Sequence, residues 1–285
     1  MIKNPLLQPF LKWAGGKRQL LTQIKNYMPG SMRNCCYYEP FLGGGAVLFG
    51  IQPQRAVVND INPELYNCYV AVRDYLDELI AHLEKYTHKN NEEDFYEIRD
   101  LDRREEYKSF SPAQKAARII FLNKTCYNGL FRVNSQGQFN VPFGKYKNPR
   151  ILDTETLKQA SRYLANNNIE LKNTDFEQAI ADAQKGDFIY FDPPYDPVSC
   201  TSSFTGYSMD GFGRDEQLRL RNVFVRLDKK GCRVLLSNSS TEFIGDLYSG
   251  YNIVRVSASR NINSVAAGRG KIDEVLVMNY GNKKR

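Results

Sequence analysis

Only two histidines, His82 and His88, occur in 285 residues, and both fall in a polar stretch expected to be helical. A His-based nucleophilic triad or a His-rich zinc site would have to be assembled from that pair, so neither is expected. The six cysteines, at 35, 36, 68, 126, 200 and 232, include no C-x-x-C pair and read as buried free thiols of a reducing compartment. No apolar run approaches the roughly 18 residues of a membrane span. The segment from Met1 to Trp13 lacks a secretory leader's apolar stretch and small-residue cleavage site. A cytoplasmic protein with no membrane and no metal is expected. Internal repeats and low-complexity linkers are also missing, which leaves an ordinary globular chain.

The most informative absence is local. Between Tyr107 and Leu152 there is no Asp or Glu, while Lys108, Lys115, Arg118, Lys124, Arg132, Lys145, Lys147 and Arg150 carry eight positive charges. The whole chain carries +7, so everything outside this segment is close to neutral. Basic charge confined to one segment suits a polyanionic partner better than a generally cationic surface does.

What is present alternates strand with helix and predicts an α/β chain with a mostly parallel sheet. Strands are expected at 35–38, 56–59, 169–172, 188–191, 233–236, 251–258 and 272–280. Helices are expected from Ala46, from Pro63, through 74–106, and at 113–125, 154–165 and 215–229. From Tyr127 to Pro149 the chain reads as loop, and residues 196–213 as a mobile Ser/Thr/Gly-rich loop.

Three stretches could carry chemistry. Phe41-Leu-Gly-Gly-Gly45 joins a strand to a helix and lets a ligand approach the backbone, although it is not the G-x-G-x-x-G of dinucleotide folds. Asp60 ends the next strand, where an acid suits ribose hydroxyls, and the pair suggests a nucleoside-bearing cofactor. Lys12-Trp-Ala-Gly-Gly-Lys17 is not a phosphate loop, because the first Gly is missing and Arg18 stands where Ser or Thr should follow the Lys. Asp192-Pro-Pro-Tyr195 closes a short apolar strand. Its prolines fix the backbone, so the Asp192 carboxylate, the Pro193 carbonyl and the Tyr195 ring can offer two acceptors and a flat plate to a planar base bearing an exocyclic amine.

Together these residues force a comparison. Phe41–Gly45 followed by Asp192–Tyr195 resembles the DNA amino-methyltransferases that use S-adenosyl-L-methionine. The order Lys12–Lys17, Gly turn, basic segment, Asp-Pro-Pro-Tyr resembles their α group. The Dam-type adenine-N6 methyltransferases of GATC-recognising restriction–modification systems are the nearest match. The resemblance extends through Tyr127-Asn-Gly-Leu-Phe-Arg132, Phe139-Asn-Val-Pro142, Tyr146 and a tail from Arg269 to Tyr280, and so covers nearly the whole chain. Asn123-Lys-Thr-Cys126, just before Tyr127, departs from the family pattern.

The resemblance implies a Rossmann-like α/β methyltransferase fold with a mixed sheet, built from residues 1–61 and 151–285. A mostly helical DNA-recognition insert would span 62–150. It implies S-adenosyl-L-methionine as cofactor, held by Trp13, Lys17, Phe41, Gly43, Asp60, Ile61, Asp175, Phe176 and Asp192, with Ile61 and Phe176 flanking the adenine. From the residues alone, Ile61 and Phe176 suit a plain core role equally well, and Asp175 could simply start a helix. Asp192, Pro193, Pro194 and Tyr195 would meet the target amine. Double-stranded DNA would be met by Lys12, Tyr127, Asn128, Leu130, Arg132, Pro142 and Tyr146, with Tyr127 wedged into the base stack and Arg132 reading a guanine. A monomer is expected, transferring the methyl directly to a flipped adenine. Other amine targets (cytosine N4, RNA adenine, a protein amide) and an inactive DNA-binding module on the same fold stay open.

Overall fold

The computed structural model describes residues 4–30, 34–198, 211–259 and 271–281. In chain order the elements are α1 (Leu21–Tyr27), β1 (Tyr37–Glu39), α2 (Ala46–Ile51), β2 (Arg55–Asn59), α3 (Pro63–Asp74), α4 (Leu76–Glu84), α5 (Glu92–Arg99), α6 (Pro112–Thr125) and α7 (Thr154–Asn166). They continue with β3 (Asn168–Lys172), α8 (Phe176–Ala179), β4 (Phe188–Phe191), α9 (Arg214–Lys230), β5 (Arg233–Ser239), α10 (Glu242–Leu247), β6 (Asn252–Ser259) and β7 (Lys271–Met278). The strands form one seven-stranded sheet in the order β3-β2-β1-β4-β5-β7-β6. β2, β1, β4 and β5 run parallel; β7 is antiparallel to β5 and to β6. This is the mixed, Rossmann-like sheet of methyltransferase folds.

The chain divides into two compact units, residues 1–16, 43–54 and 60–173 in one, residues 17–42, 55–59 and 174–285 in the other. The expected boundaries were 61/62 and 150/151. The N-terminal residues, the glycine turn with α2, and α7 with β3 cluster with the basic segment. A sequence boundary drawn at loops cannot see which unit a short element packs on.

The second unit holds most of the sheet. β4 is buried along its whole length, as Phe188-Ile-Tyr-Phe191 predicts for a central parallel strand covered on both faces. Ile189, Phe191, Val234, Leu236 and Val277 pack with Leu220, Val223 and Phe224 of α9 and with Ile244 and Tyr248. The chain order reverses between β1 and β4, a topological switch point, and ligands of open α/β sheets bind outside the carboxyl ends of strands at such points. Phe41 follows β1 and Asp192 follows β4 at that edge.

The first unit is mostly helical. Its α6 begins with Pro112 at the first turn and a reciprocal capping box between Ser111 and Gln114, and it is buried on nearly every side. Arg118, midway along α6, is buried and pairs with Asp102 at 2.6 Å while donating to the Ile98 carbonyl at 3.0 Å. One of the eight positive charges of the acid-free segment is thus internal; of the others, Lys108 pairs with Glu105 and Arg150 with Asp153.

Of three short helices, α1, α8 and α10, only the start of α8 at Asp175 was among the expectations. At 7, 4 and 6 residues they are too short to form on propensity alone and are held by packing. The expected 196–213 loop lies largely outside the described residues, as do Cys200 and Arg269 of the family-like tail. Among the described residues no helix is long and apolar enough to cross a membrane, and no cluster of His, Cys, Asp and Glu could hold a metal. The five described cysteines are free. Burial raises the pKa of each, Cys126 to about 12, so none is a reactive thiolate.

Candidate active site

In the second unit, the end of β4 delivers Asp192 into a polar cluster. Its Oδ1 accepts from Lys17 Nζ and from the Ser237 hydroxyl, both at 2.8 Å. Ser237 spends its proton there, so the neighbouring Tyr190 hydroxyl, 3.1 Å away, donates to Ser237. Lys17 is only 5% exposed, and its ammonium also lies 4.5 Å from the centroid of the Tyr195 ring. Burial pushes the Asp192 carboxyl above the usual carboxylate range, and the Lys17 ammonium opposes that push. The Tyr195 hydroxyl donates to Glu274 on β7 at 2.7 Å.

The backbone of the tetrapeptide is tied down behind it. Gln217 donates to the Pro194 carbonyl at 2.8 Å, and Asn238 supports Gln217. Asn238 Oδ1 accepts the Asp196 amide and the Asp196 carbonyl accepts Ser239 Oγ. Among the described residues no donor reaches the Pro193 carbonyl, so that acceptor and the Asp192 carboxylate are both available at one rigid turn.

Phe41 and Phe176 also belong to this unit and stack at 5.3 Å, with Phe212 against both. Phe176 is buried, and the Arg219 guanidinium lies 4.5 Å from its ring centroid. Asp175 accepts the Glu177 amide as the cap of α8 and pairs with Arg219. The plain alternatives for these two residues, core packing and helix start, are therefore what they do structurally.

In the first unit, the glycine turn and Asp60 meet. Asp60 Oδ2 accepts the Gly43 amide at 2.9 Å and Oδ1 the Asn62 amide at 3.0 Å. Burial raises the Asp60 carboxyl and these amides hold it down. Each oxygen keeps a lone pair for a further donor. Gly43 has φ +51°, and a Cβ there would stand 3.2 Å from Trp13 Cδ1, so the Trp13 indole lies directly on the turn. Its other neighbour is Phe131, stacked at 5.3 Å. Ile61 is 68% exposed, which removes its core alternative.

The basic loop converges on Asn123, a residue that the sequence reading passed over as part of a departure from the family. Asn123 is buried at the end of α6. It accepts the Lys12 amide at 2.9 Å, donates to the Lys12 carbonyl at 2.7 Å and donates to the Gly129 carbonyl at 3.0 Å. Tyr146 Oη accepts the Asn128 amide at 3.1 Å, and Lys12 Nζ lies 5.6 Å from the Tyr146 ring centroid. The Tyr127 amide donates to the Pro142 carbonyl, and the Leu130 amide to the Tyr127 carbonyl. Six of the seven expected DNA-facing residues thus form one connected cluster. Tyr127 remains 47% exposed despite its size. Arg132 is exposed and held side-on, its Nε donating to Asn140 Oδ1 at 2.7 Å and an Nη to the Asn140 carbonyl at 3.1 Å. Its outer N–H fork faces away from Asn140.

Ser237, Glu274 and Asn123 were not foreseen. Ser237 and Glu274 lie on strands that looked purely structural. An Asn among Ile119-Ile-Phe-Leu122 was the one available signal, since a polar side chain in a buried helix must find partners.

Comparison of sequences shows a methyltransferase and gives its class. The model of the D12 class N6 adenine-specific DNA methyltransferase family matches residues 13–262, and the chain belongs to that family. It is 47% identical over 281 residues to the type II methyltransferase M1.LlaDCHI of Lactococcus lactis subsp. cremoris, covering 98% of each chain. To the type II methyltransferase M.MjaIII of Methanocaldococcus jannaschii it is 42% identical over 290 residues, covering 96% of this chain and 99% of that one. The DNA adenine methylase of Escherichia coli K12 is 34% identical over 271 residues, covering 94% of each.

Proposed function

We propose that this enzyme transfers a methyl group from S-adenosyl-L-methionine to N6 of an adenine flipped out of duplex DNA, within GATC. The reading rests above all on Asp192, a carboxylate held by Lys17 and Ser237 at the end of β4 beside a Pro193 carbonyl that no described residue engages. Two acceptors on one rigid turn can take both N–H groups of an exocyclic amine. They draw the nitrogen lone pair out of conjugation with the ring and leave it free to attack. Tyr195 would stack on the extruded base, and positioning with electrostatics would supply most of the rate.

The residues fit the cofactor. Asp60 has spare acceptor capacity for ribose hydroxyls, with Trp13 and Gly43 beside it. Lys17, Phe41 and Ile61 complete the set we assign to cofactor binding, while Asp175 and Phe176 serve it through α8 and the Phe41 stack. The cofactor, when bound, supplies an activated methyl on a sulfonium. The chain's own residues orient the amine, exclude water and hold Asp192 ionised.

We assign DNA recognition to the cluster around Asn123, with Lys12, Asn128, Leu130, Pro142 and Tyr146 near the bases, Tyr127 as wedge and Arg132 as reader of a guanine. GATC is supported by the resemblance of Tyr127–Arg132, Phe139–Pro142 and Tyr146 to the GATC-recognising members. The exposed fork of Arg132 suits guanine O6 and N7. The test is Asp192→Ala: cofactor and duplex binding should persist while methylation of adenine disappears. Near-normal turnover by this variant would refute the assignment.

A further inference from the structure

Glu274 sits on β7 in register with Ser239 of β5 and Val256 of β6, at the same sheet edge as Asp192. It is 7% exposed, and a carboxylate so buried requires a partner. That partner is Tyr195, whose hydroxyl donates to Glu274 Oε2 at 2.7 Å. The phenol has one proton and feels two carboxylates, Asp192 and Glu274, and among the described residues it donates to Glu274. Directed to Glu274, the proton leaves Asp192 to Lys17, Ser237 and the target amine. Directed to Asp192, it would compete with that amine for the acceptor. The ring is constrained as well: Lys17 lies on one face at 4.5 Å from the centroid, so a single face is left for a base.

We propose that Glu274 is a positioning residue for methyl transfer, anchoring the Tyr195 hydroxyl so that the ring presents its open face and its proton stays off Asp192. This rests on the reading of Asp192 and Tyr195 as the groups that meet the target adenine. Nothing in the Lys271–Met278 sequence announces the role, because it belongs to a hydrogen bond made across 79 positions of sequence.

The test is single-turnover methylation of duplex DNA at saturating cofactor by wild type, Glu274→Gln, Glu274→Leu, Tyr195→Phe and the Glu274→Leu/Tyr195→Phe double variant. Binding of cofactor and duplex is measured separately. A plate displaced by an ångström can slow a reaction by on the order of 100-fold. We expect Glu274→Leu to lose roughly ten- to a hundredfold in the chemical step with both affinities nearly unchanged. Glu274→Gln, whose carbonyl can accept the same hydroxyl, should keep most of the rate. In the Tyr195→Phe background, which has already lost the bond, Glu274→Leu should cost less than about threefold, the non-additivity expected of direct partners. Full rate in Glu274→Leu, or equal losses in both backgrounds, overturns the proposal. If Glu274→Leu does not fold, Tyr195→Phe decides alone, since it cuts the same bond from the other side; wild-type rate there overturns the proposal equally. Persistence of adenine methylation in Asp192→Ala would instead bring down the underlying reading.

Discussion

Replacing Lys17 by Met removes one of the two donors on Asp192 Oδ1, 2.8 Å away, and the cation on the Tyr195 ring, while preserving side-chain length. The carboxylate is left in a buried setting with the Ser237 hydroxyl still donating to it at 2.8 Å. Burial already raises its pKa, and Lys17 is the largest opposing influence, so the variant's pKa must rise further. Breaking a buried pair by removing one partner destabilises by about 3–5 kcal/mol while the remaining charge persists. Protonation relieves that penalty. A carboxyl whose folded pKa is raised binds its proton more tightly folded than unfolded, so its destabilising contribution is small below the unfolded pKa. It grows as pH rises toward the folded pKa. The stability deficit of Lys17→Met relative to wild type should therefore be largest at alkaline pH and shrink on acidification, as read by urea unfolding. Activity should move oppositely. A protonated Asp192 cannot accept both from its neighbours and from the amine, so the acidic limb of the single-turnover pH profile should shift to higher pH. A variant with the wild-type acidic limb and a pH-independent stability loss would refute this account of the Lys17–Asp192 pair.

Four further tests are defined. Gly45→Ala should destabilise by about 2–5 kcal/mol, from φ +70° and a Cβ 2.6 Å from Tyr69 Oη, and thermal unfolding measures it. Asn123→Ala leaves three backbone groups without their partner and should lose about 2–4 kcal/mol in denaturant unfolding. It should also lower discrimination against near-cognate sites more than non-specific binding, because Lys12 and the Gly129 turn lose their common anchor. Arg132→Ala should relax preference at one guanine by about 1–3 kcal/mol in competition assays. With Arg118 internal, the salt dependence of duplex binding should be no steeper than a log–log slope of about −6 if every other charge of the segment meets phosphate.

Much of this was legible before any coordinates. The Phe188–Phe191 run could be a strand and little else, and Pro63 marked a helix start that the structure keeps. The tetrapeptide after β4 and the acid after β2 were visible because fixed backbone and a single side chain suffice to state their role. What could not be read was supplied by distance in sequence. Lys17 meets Asp192, Ser237 reaches the same carboxylate from β5, and Glu274 accepts the Tyr195 hydroxyl from β7. Each of these looks local in sequence, a lysine in a turn or a serine or acid in a strand. Phe176 and Asp175 show the converse. A resemblance gave them to the cofactor, while the structure engages them first with Phe41, Arg219 and the start of α8. Nor could the composition of the basic segment show that Arg118 is spent inside the protein.

The central claim is met most directly by sequencing modified bases in unmethylated genomic DNA exposed to the purified enzyme and S-adenosyl-L-methionine, with mass analysis of the released nucleosides. The account predicts N6-methyladenine, at the adenine of GATC and on both strands, and none from Asp192→Ala. Methylated cytosine, methyladenine scattered outside GATC, or undiminished product from the variant would contradict it.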